Sequence, residues 1–341
     1  MRPRPVLLAT ALLLAACAGP QPAATEPSAP PEPSGGSTAA PAPPEQPDRF
    51  TVVATGDVLV HQDRALTTGA RQPDGSYDFT EVFAGVAPVI AAADLAICHL
   101  ETPVAAPGGP YRGYPSFAVQ PEIVDALAGA GYDVCSTASN HSLDDGFQGL
   151  VRTRDALEAA GIAVTGTHRT AAEAAEPTVV DVGGVRVGHV AATFSTNGVP
   201  LPAGREWSVD LVPVPDVTAT LAAAARARQA GAEVVVASLH CCREYRHEPT
   251  GEQVEAARRL LASPDVDLVL GHHAHVVQPF ERIGGEWVAY GLGNHLAEHA
   301  TRGYATEDSV VARFTFTRGD DGRFTATAAE GTSNLFATDY F

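Results

Sequence analysis

The 341-residue sequence contains no lysine. All 22 basic residues are arginine, against 40 acidic ones, for a formal net charge of −18. No basic run occurs, which argues against nucleic acid as a partner. A polyanionic substrate would also be repelled at long range, so any bound anion needs local neutralisation of the kind metal ions provide. Acidity of this size serves solubility as well. Cysteine is scarce, with five residues, and beyond one short N-terminal stretch no hydrophobic run is long enough to span a bilayer.

That stretch is informative. Residues 1–16 place Arg2 and Arg4 before an apolar run from Val6 to Leu14, the pattern of a signal peptide. Leu14-Ala15-Ala16-Cys17 resembles the bacterial lipoprotein box, which implies cleavage before Cys17 and acylation of its thiol and amine. Ordinary secretion, with cleavage after a small-residue pair, is the alternative. Residues 17–48 are Pro, Ala, Glu, Ser, Gly and Thr with almost no large apolar side chain, a composition expected of a disordered tether. The remainder, 49–341, suits one large α/β domain. The expected location is extracytoplasmic, lipid-anchored to the bacterial cell membrane.

Within that domain, apolar strands repeatedly run into polar ends. Phe50–Thr55 leads to Gly56-Asp57, with His61 four residues on. The segment 94–100 leads to Glu101, and 132–138 leads to Ser139-Asn140-His141. Glu233–Ser238 leads to His240, and 268–270 leads to Gly271-His272-His273-Ala274-His275. Strand C-terminal ends are where α/β folds place chemistry. In an extended segment His273 and His275 would leave the same face, offering two imidazoles to one centre. Helices are expected from Pro121, over 149–160 and 217–230, and from the capping box Thr250/Gln253 to Leu261. Hairpins are expected around the Gly-Gly pairs 183–184 and 284–285 and around Gly319–Gly322. His189 falls inside the first and reads as a packed structural histidine. Residues 104–116 form a Pro- and Gly-rich loop, expected at the rim of the site. Cys98 and Cys135 lie on consecutive expected strands, compatible with a disulfide or with buried thiols. Cys241-Cys242 follows His240, which leaves thiolate coordination open.

Gly56-Asp57-Val58-Leu59, Leu100-Glu101-Thr102-Pro103, Ser139-Asn140-His141-Ser142-Leu143-Asp144, Gly271-His272-His273-Ala274-His275-Val276 and Gly291-Leu292-Gly293-Asn294 resemble, in order, the CapA-type poly-γ-glutamate capsule-synthesis proteins. They cover roughly residues 50–300. That family is related to the calcineurin-like metallophosphoesterases, which implies an α/β fold of two packed β-sheets flanked by helices. The resemblance implies two divalent ions, Mn, Fe or Zn. Asp57 and His275 would hold one; Asn140, His240 and His273 would hold the other; Glu101 would bridge. His141 would supply general acid assistance. Three departures bear on metal identity and occupancy. Leu59 stands where phosphoesterases carry a histidine, with His61 a possible replacement. Cys241-Cys242 replaces a usual Trp-Gly. His295, after Asn294, replaces a usual Phe, and both are candidate additional ligands.

The resemblance implies hydrolase or transferase chemistry on a cell-envelope polymer or a phosphoester, with membrane-bound polymer synthase subunits as candidate partners. A non-catalytic polymer-binding accessory role, or a secreted phosphatase or nucleotidase, are the competing readings. The expected mature N-terminus is a lipid-bearing Cys17, to be read by mass spectrometry of membrane-extracted protein. An unmodified start at Ala18 or later, with all protein in the medium, would refute it.

Overall fold

The computed structural model describes residues 46–299 and 304–335. The expected signal peptide, residues 17–45 of the tether and the lipidation site Cys17 lie outside the described residues. Among the described residues, no helix is long and apolar enough to cross a membrane.

Among the described residues, thirteen strands form two sheets. The first begins with β1 (Arg49–Val58), β2 (Leu95–Leu100), β3 (Val134–Ser136) and β4 (Ala163–Thr165), which pair in parallel in that order. The chain then builds the second sheet from β5 (Thr178–Val182), β6 (Val185–Thr193), β7 (Val234–His240), β8 (Leu268–His272), β9 (Phe280–Ile283) and β10 (Glu286–Ala289). Its spatial order is β5-β6-β7-β8-β10-β9. The chain returns to the first sheet with β11 (Asn294–Leu296), β12 (Asp308–Arg318) and β13 (Phe324–Leu335), with β11 parallel and β12 antiparallel to β1.

Helices cover both outer faces. The short α1 (Ala65–Ala70), α2 (Thr80–Phe83) and α3 (Ala87–Ile90) fill a stretch with no clear sequence periodicity. The others are α4 (Glu122–Ala130), α5 (Gly146–Ala159), α6 (Ala171–Ala175), α7 (Thr218–Gln229) and α8 (Gly251–Leu261). The start of α8 is set by the expected capping box: Thr250 Oγ1 accepts from the Gln253 amide at 3.2 Å, and the Gln253 side chain reaches back to the Thr250 amide at 3.4 Å.

Three apolar layers result, and strand alternation sorts residues among them. In β2, Leu95 and Ile97 lie in the core between the sheets, while Ala96, Cys98 and Leu100 pack outward with α4. In β7, Val234 and Val236 face between the sheets, while Val235, Ala237 and Leu239 meet α7 and α8. His189 is buried with its Nε2 2.9 Å from Ser238 Oγ, which gives it the structural place expected of it. Cys98 and Cys135 are register partners on β2 and β3 and are disulfide-bonded.

The two sheets meet the 290–293 loop at glycines. A Cβ at Gly56 would run into the Gly293 carbonyl, and one at Gly271 into the Tyr290 carbonyl. The glycines let backbone pass directly over the ends of β1 and β8. Gly271→Ala is therefore expected to destabilise the domain by about 1–3 kcal/mol or more through forced backbone displacement. Urea unfolding should show a lowered midpoint; a midpoint equal to wild type would mean that the crossing loop gives way without cost.

Candidate metal centre

The alternation that buries the inter-sheet core also builds the site. Continuing the face of Leu95 and Ile97 past the end of β2 brings up His99 and Glu101. The face of Val234 and Val236 continues to Ser238 and His240, and that of Leu268 and Leu270 to His272. Asp57 is out of phase with Val52 and Ala54, but a register irregularity between Ala54 and Asp57 re-aims it. Polar side chains thus cap the inter-sheet core where parallel strands of both sheets end.

Two groups of buried donors result: Asp57, His99, Glu101 and His240; and Glu101, His273 and His275. Glu101 is common to both. Its carboxylate lies 3.9 Å from His240 Nε2 and 3.9 Å from His275 Nε2. Neither carboxylate oxygen has a hydrogen-bond partner among the described residues, nor has His273 Nδ1. A buried carboxylate without a hydrogen bond is expensive, and a cation between these imidazoles would satisfy it. The donor set therefore fits divalent metal. Asp57 is served differently: it accepts from the His273 amide at 3.1 Å, and its oxygens lie 3.2 Å from Nδ1 of His272 and of His275. The geometric groups divide the donors differently from the ion-by-ion division the family resemblance implied, and they add His99.

Electrostatics follow from these neighbours. Burial lifts the Glu101 carboxyl above its usual range, only partly opposed by His275. Burial pulls His275 down, but Glu101 and Asp57 outweigh it and raise the imidazole to about 9. Burial raises Asp57 as well, yet the His272 and His275 hydrogen bonds hold its carboxyl well below the ordinary value. Burial lowers His273 to about 3.

His240 is tied into a chain. Its Nδ1 lies 2.9 Å from His99 Nε2, and His99 Nδ1 lies 2.7 Å from Ser136 Oγ. On the other side His240 Nε2 lies 2.8 Å from Asn140 Oδ1. The protons of this chain can run in either direction. With His240 donating to His99 and His99 to Ser136, Nε2 and Asn140 Oδ1 present two lone pairs to one position, as two ligands of one ion do.

The 273–275 segment is not extended as the sequence spacing suggested. β8 ends at His272, and His273 and His275 have φ of 83° and 55°. A strained turn, rather than strand alternation, brings their ring centroids to 5.9 Å. The other non-glycine residues with positive φ among the described ones are Asp63, Asn197, Cys242 and Tyr245. All but His273 and Cys242 line the cleft above the centre. Thiolate coordination by Cys241 or Cys242 is overturned, because the two are disulfide-bonded to each other.

That cleft measures about 840 Å³, and its lining includes Asn140, His141 and His275 together with Arg64, Gln62, Asn197, Glu244 and Tyr245. Gly113, Tyr114 and Pro115 of the 104–116 loop form part of its wall. His141 Nδ1 is 2.7 Å from Asp144 Oδ2, which leaves Nε2 as its free nitrogen. Burial lowers the His141 imidazole, but Asp144 and the Glu101 charge reverse that and leave it raised.

Asp57, Glu101, Asn140, His240, His273 and His275 come together at these strand ends, with His141 in the cleft wall beside them. Of the three additional candidates, His61 and His295 join neither donor group, and the Asn294 side chain is engaged with His275 and Thr306. His61 sits in the cleft wall, its Nδ1 accepting from the Glu298 amide at 3.2 Å, and burial lowers it to about 4. Asn294 stands behind His275, its Oδ1 2.8 Å from Nδ1, and donates to the Thr306 carbonyl at 2.9 Å. His275 Nδ1 therefore carries a proton, and Nε2 is the nitrogen that can turn to a cation by giving up its own. His295 points away, its Nε2 2.9 Å from the Tyr132 hydroxyl and its ring against Phe83. Sequence reasoning missed His99, His272 and Glu244. His99 had a signal, a polar residue two before Glu101 in an otherwise apolar strand. Glu244 had none beyond its nearness to His240.

The family described as "Bacterial capsule synthesis protein PGA_cap" matches residues 51–299. The chain is 26% identical over 284 residues to the "PGA biosynthesis protein CapA" of Bacillus subtilis, covering 82% of this chain and 71% of that one. It is 32% identical over 218 residues to a "Probable polyglutamine synthesis accessory protein" of Mycobacterium tuberculosis, covering 61% of this chain and 57% of that one. In fold it is similar to the calcineurin-like phosphoesterase YfkN of Bacillus subtilis, with a TM-score of 0.50 at 13% identity over 85% of this chain and 92% of that one. Polar strand ends, a two-sheet α/β fold and a match over most of the chain agree: this chain belongs to the bacterial capsule synthesis protein PGA_cap family, on a calcineurin-like phosphoesterase fold.

Proposed function

We propose that the chain is a metal-dependent hydrolase or transferase serving the synthesis of poly-γ-glutamate or another cell-envelope polymer, lipid-anchored through Cys17 outside the cytoplasm and working beside membrane-bound synthase subunits. The observation that carries the metal-dependent reading is the Glu101 carboxylate, buried between the imidazoles of His240 and His275 with neither oxygen hydrogen-bonded among the described residues. The names of the Bacillus and Mycobacterium relatives support the polymer.

Asp57, Glu101, Asn140, His240, His273 and His275 would hold two divalent ions. Bound there, such ions supply Lewis-acid polarisation of a substrate oxygen and lower the pKa of water. The chain's own residues do the rest. Asn294 makes Nδ1 of His275 a donor, and Ser136 with His99 orients the His240 ring. Asp144 orients His141 so that Nε2 can give a proton to a leaving oxygen. Arg64, in the cleft wall, offers the cation that an acidic substrate needs in a strongly negative protein.

The test is made on the purified full chain supplied with Mn²⁺ or Zn²⁺. His273→Ala combined with His275→Ala should lower metal affinity about 10–100-fold or more; full metal content in that variant by elemental analysis would defeat the assignment. His141→Ala should keep its metal and its fold while turnover of phosphoesters or poly-γ-glutamate drops about 10²–10⁴-fold. Metal and activity lost in proportion would make His141 a ligand. Polymer binding with no turnover, unaffected by chelation, would favour the accessory role.

A further inference from the structure

The loop after β7 is tied down unusually firmly for a surface connection. Cys241 and Cys242 are disulfide-bonded as sequence neighbours, and Cys242 and Tyr245 have φ of 104° and 58°. The Tyr245 amide donates to the Ala274 carbonyl at 2.8 Å, which fastens this loop to the histidine turn. Residue 244 is thereby held over that turn. Its Oε1 lies 4.0 Å from His273 Nε2 and 4.0 Å from His275 Nε2. Both imidazoles thus lie within 4.0 Å of this carboxylate, whose side chain is 39% exposed in the cleft.

Counting donors gives the position a purpose. Asn294 occupies Nδ1 of His275, so Nε2 is the nitrogen free to bind a cation. Glu101 Oε1 is 3.9 Å from that nitrogen on the buried side, and Glu244 Oε1 is 4.0 Å from it on the cleft side. Atoms that share one ion at about 2.0–2.2 Å lie about 3–4.4 Å apart, so both distances suit a common ion. Glu101, His273 and His275 form the donor group here and leave a divalent ion short of donors, since Asp57 lies on the Nδ1 side of His275. Leu59 is apolar, and His61 joins neither donor group.

We infer that the Glu244 carboxylate is a further donor to the cation held at His275, reaching it from the cleft side on a loop fixed by the Cys241–Cys242 disulfide and the Tyr245–Ala274 hydrogen bond. A centre of this kind sets the carboxylates of Glu101 and Glu244 against the imidazoles of His273 and His275, a mixed set that accommodates an ion such as Mn²⁺. It also makes one ligand accessible from the cleft, where an incoming anionic substrate can compete with it.

The inference rests on the metal-centre reading above, and the experiment separates the two. Full-length wild type, Glu244→Gln and Asp63→Asn are stripped with a chelator and titrated with Mn²⁺ alone by calorimetry. Asp63 is an exposed carboxylate lining the same cleft, so its variant removes one charge without removing the proposed donor. Glu244→Gln should weaken Mn²⁺ binding about 10-fold or more, and Asp63→Asn less than about 3-fold. Metal-free melting temperatures should be equal in all three proteins. Unchanged binding in Glu244→Gln, or equal weakening in both variants, would overturn the inference while leaving the centre standing. So would a lowered metal-free melting temperature in Glu244→Gln, which marks a structural role. Wild type that takes up no Mn²⁺ would instead overturn the centre itself, and this inference with it.

Discussion

A carboxylate withdrawn from water, with nothing among the described residues donating to either oxygen, is the constraint on which this molecule turns. Holding an uncompensated charge in a protein interior costs on the order of several kcal/mol, so Glu101 has to be matched by positive charge or else take up a proton. Asp57 shows the contrast at close range. It is equally buried, but a backbone amide and two imidazoles serve it, and its carboxyl is held low where that of Glu101 is pushed up. Environment, not residue type, separates the two acids.

The fold makes this affordable by extending its own core pattern. Alternate residues of β2, β7 and β8 are apolar between the sheets and become His99, Glu101, His240 and His272 at the strand ends. Nothing new is added to the architecture to make the centre; the apolar layer changes composition where parallel strands stop. Only Asp57 needs a local irregularity, because its place in the alternation is off by one. Rigid strands thereby fix the deep donors, as preorganised sites require.

The cleft side is built on different terms. His273, His275, Cys242 and Tyr245 adopt left-handed backbone that side chains other than glycine resist. Such conformations persist where surroundings over-determine them. Here the Asp57 carboxylate accepting the His273 amide, the Asn294–His275 hydrogen bond and the Tyr245–Ala274 bond supply that support. Strands position the carboxylates and His240, and strained loops carry His273 and His275.

Periodicity and turn chemistry are local properties, so the order of elements, the Gly-Gly hairpins, the Thr250 capping box and the polar strand ends were legible in the sequence. So were six converging donors, because each stands at or just past the end of an apolar run. The short helices between residues 65 and 90 were not, since their stability comes from packing against α4 and β2 rather than from a pattern of their own. Which strand ends meet was likewise decided in three dimensions: Asp57 and the His273 amide are 216 residues apart in sequence. The same long-range pairing made His99 a partner of His240, sent His295 to Tyr132, joined Cys241 to Cys242 and laid Glu244 against two imidazoles. A sequence determines which face each side chain leaves from its own strand; only the packing of one sheet on the other decides what that face meets.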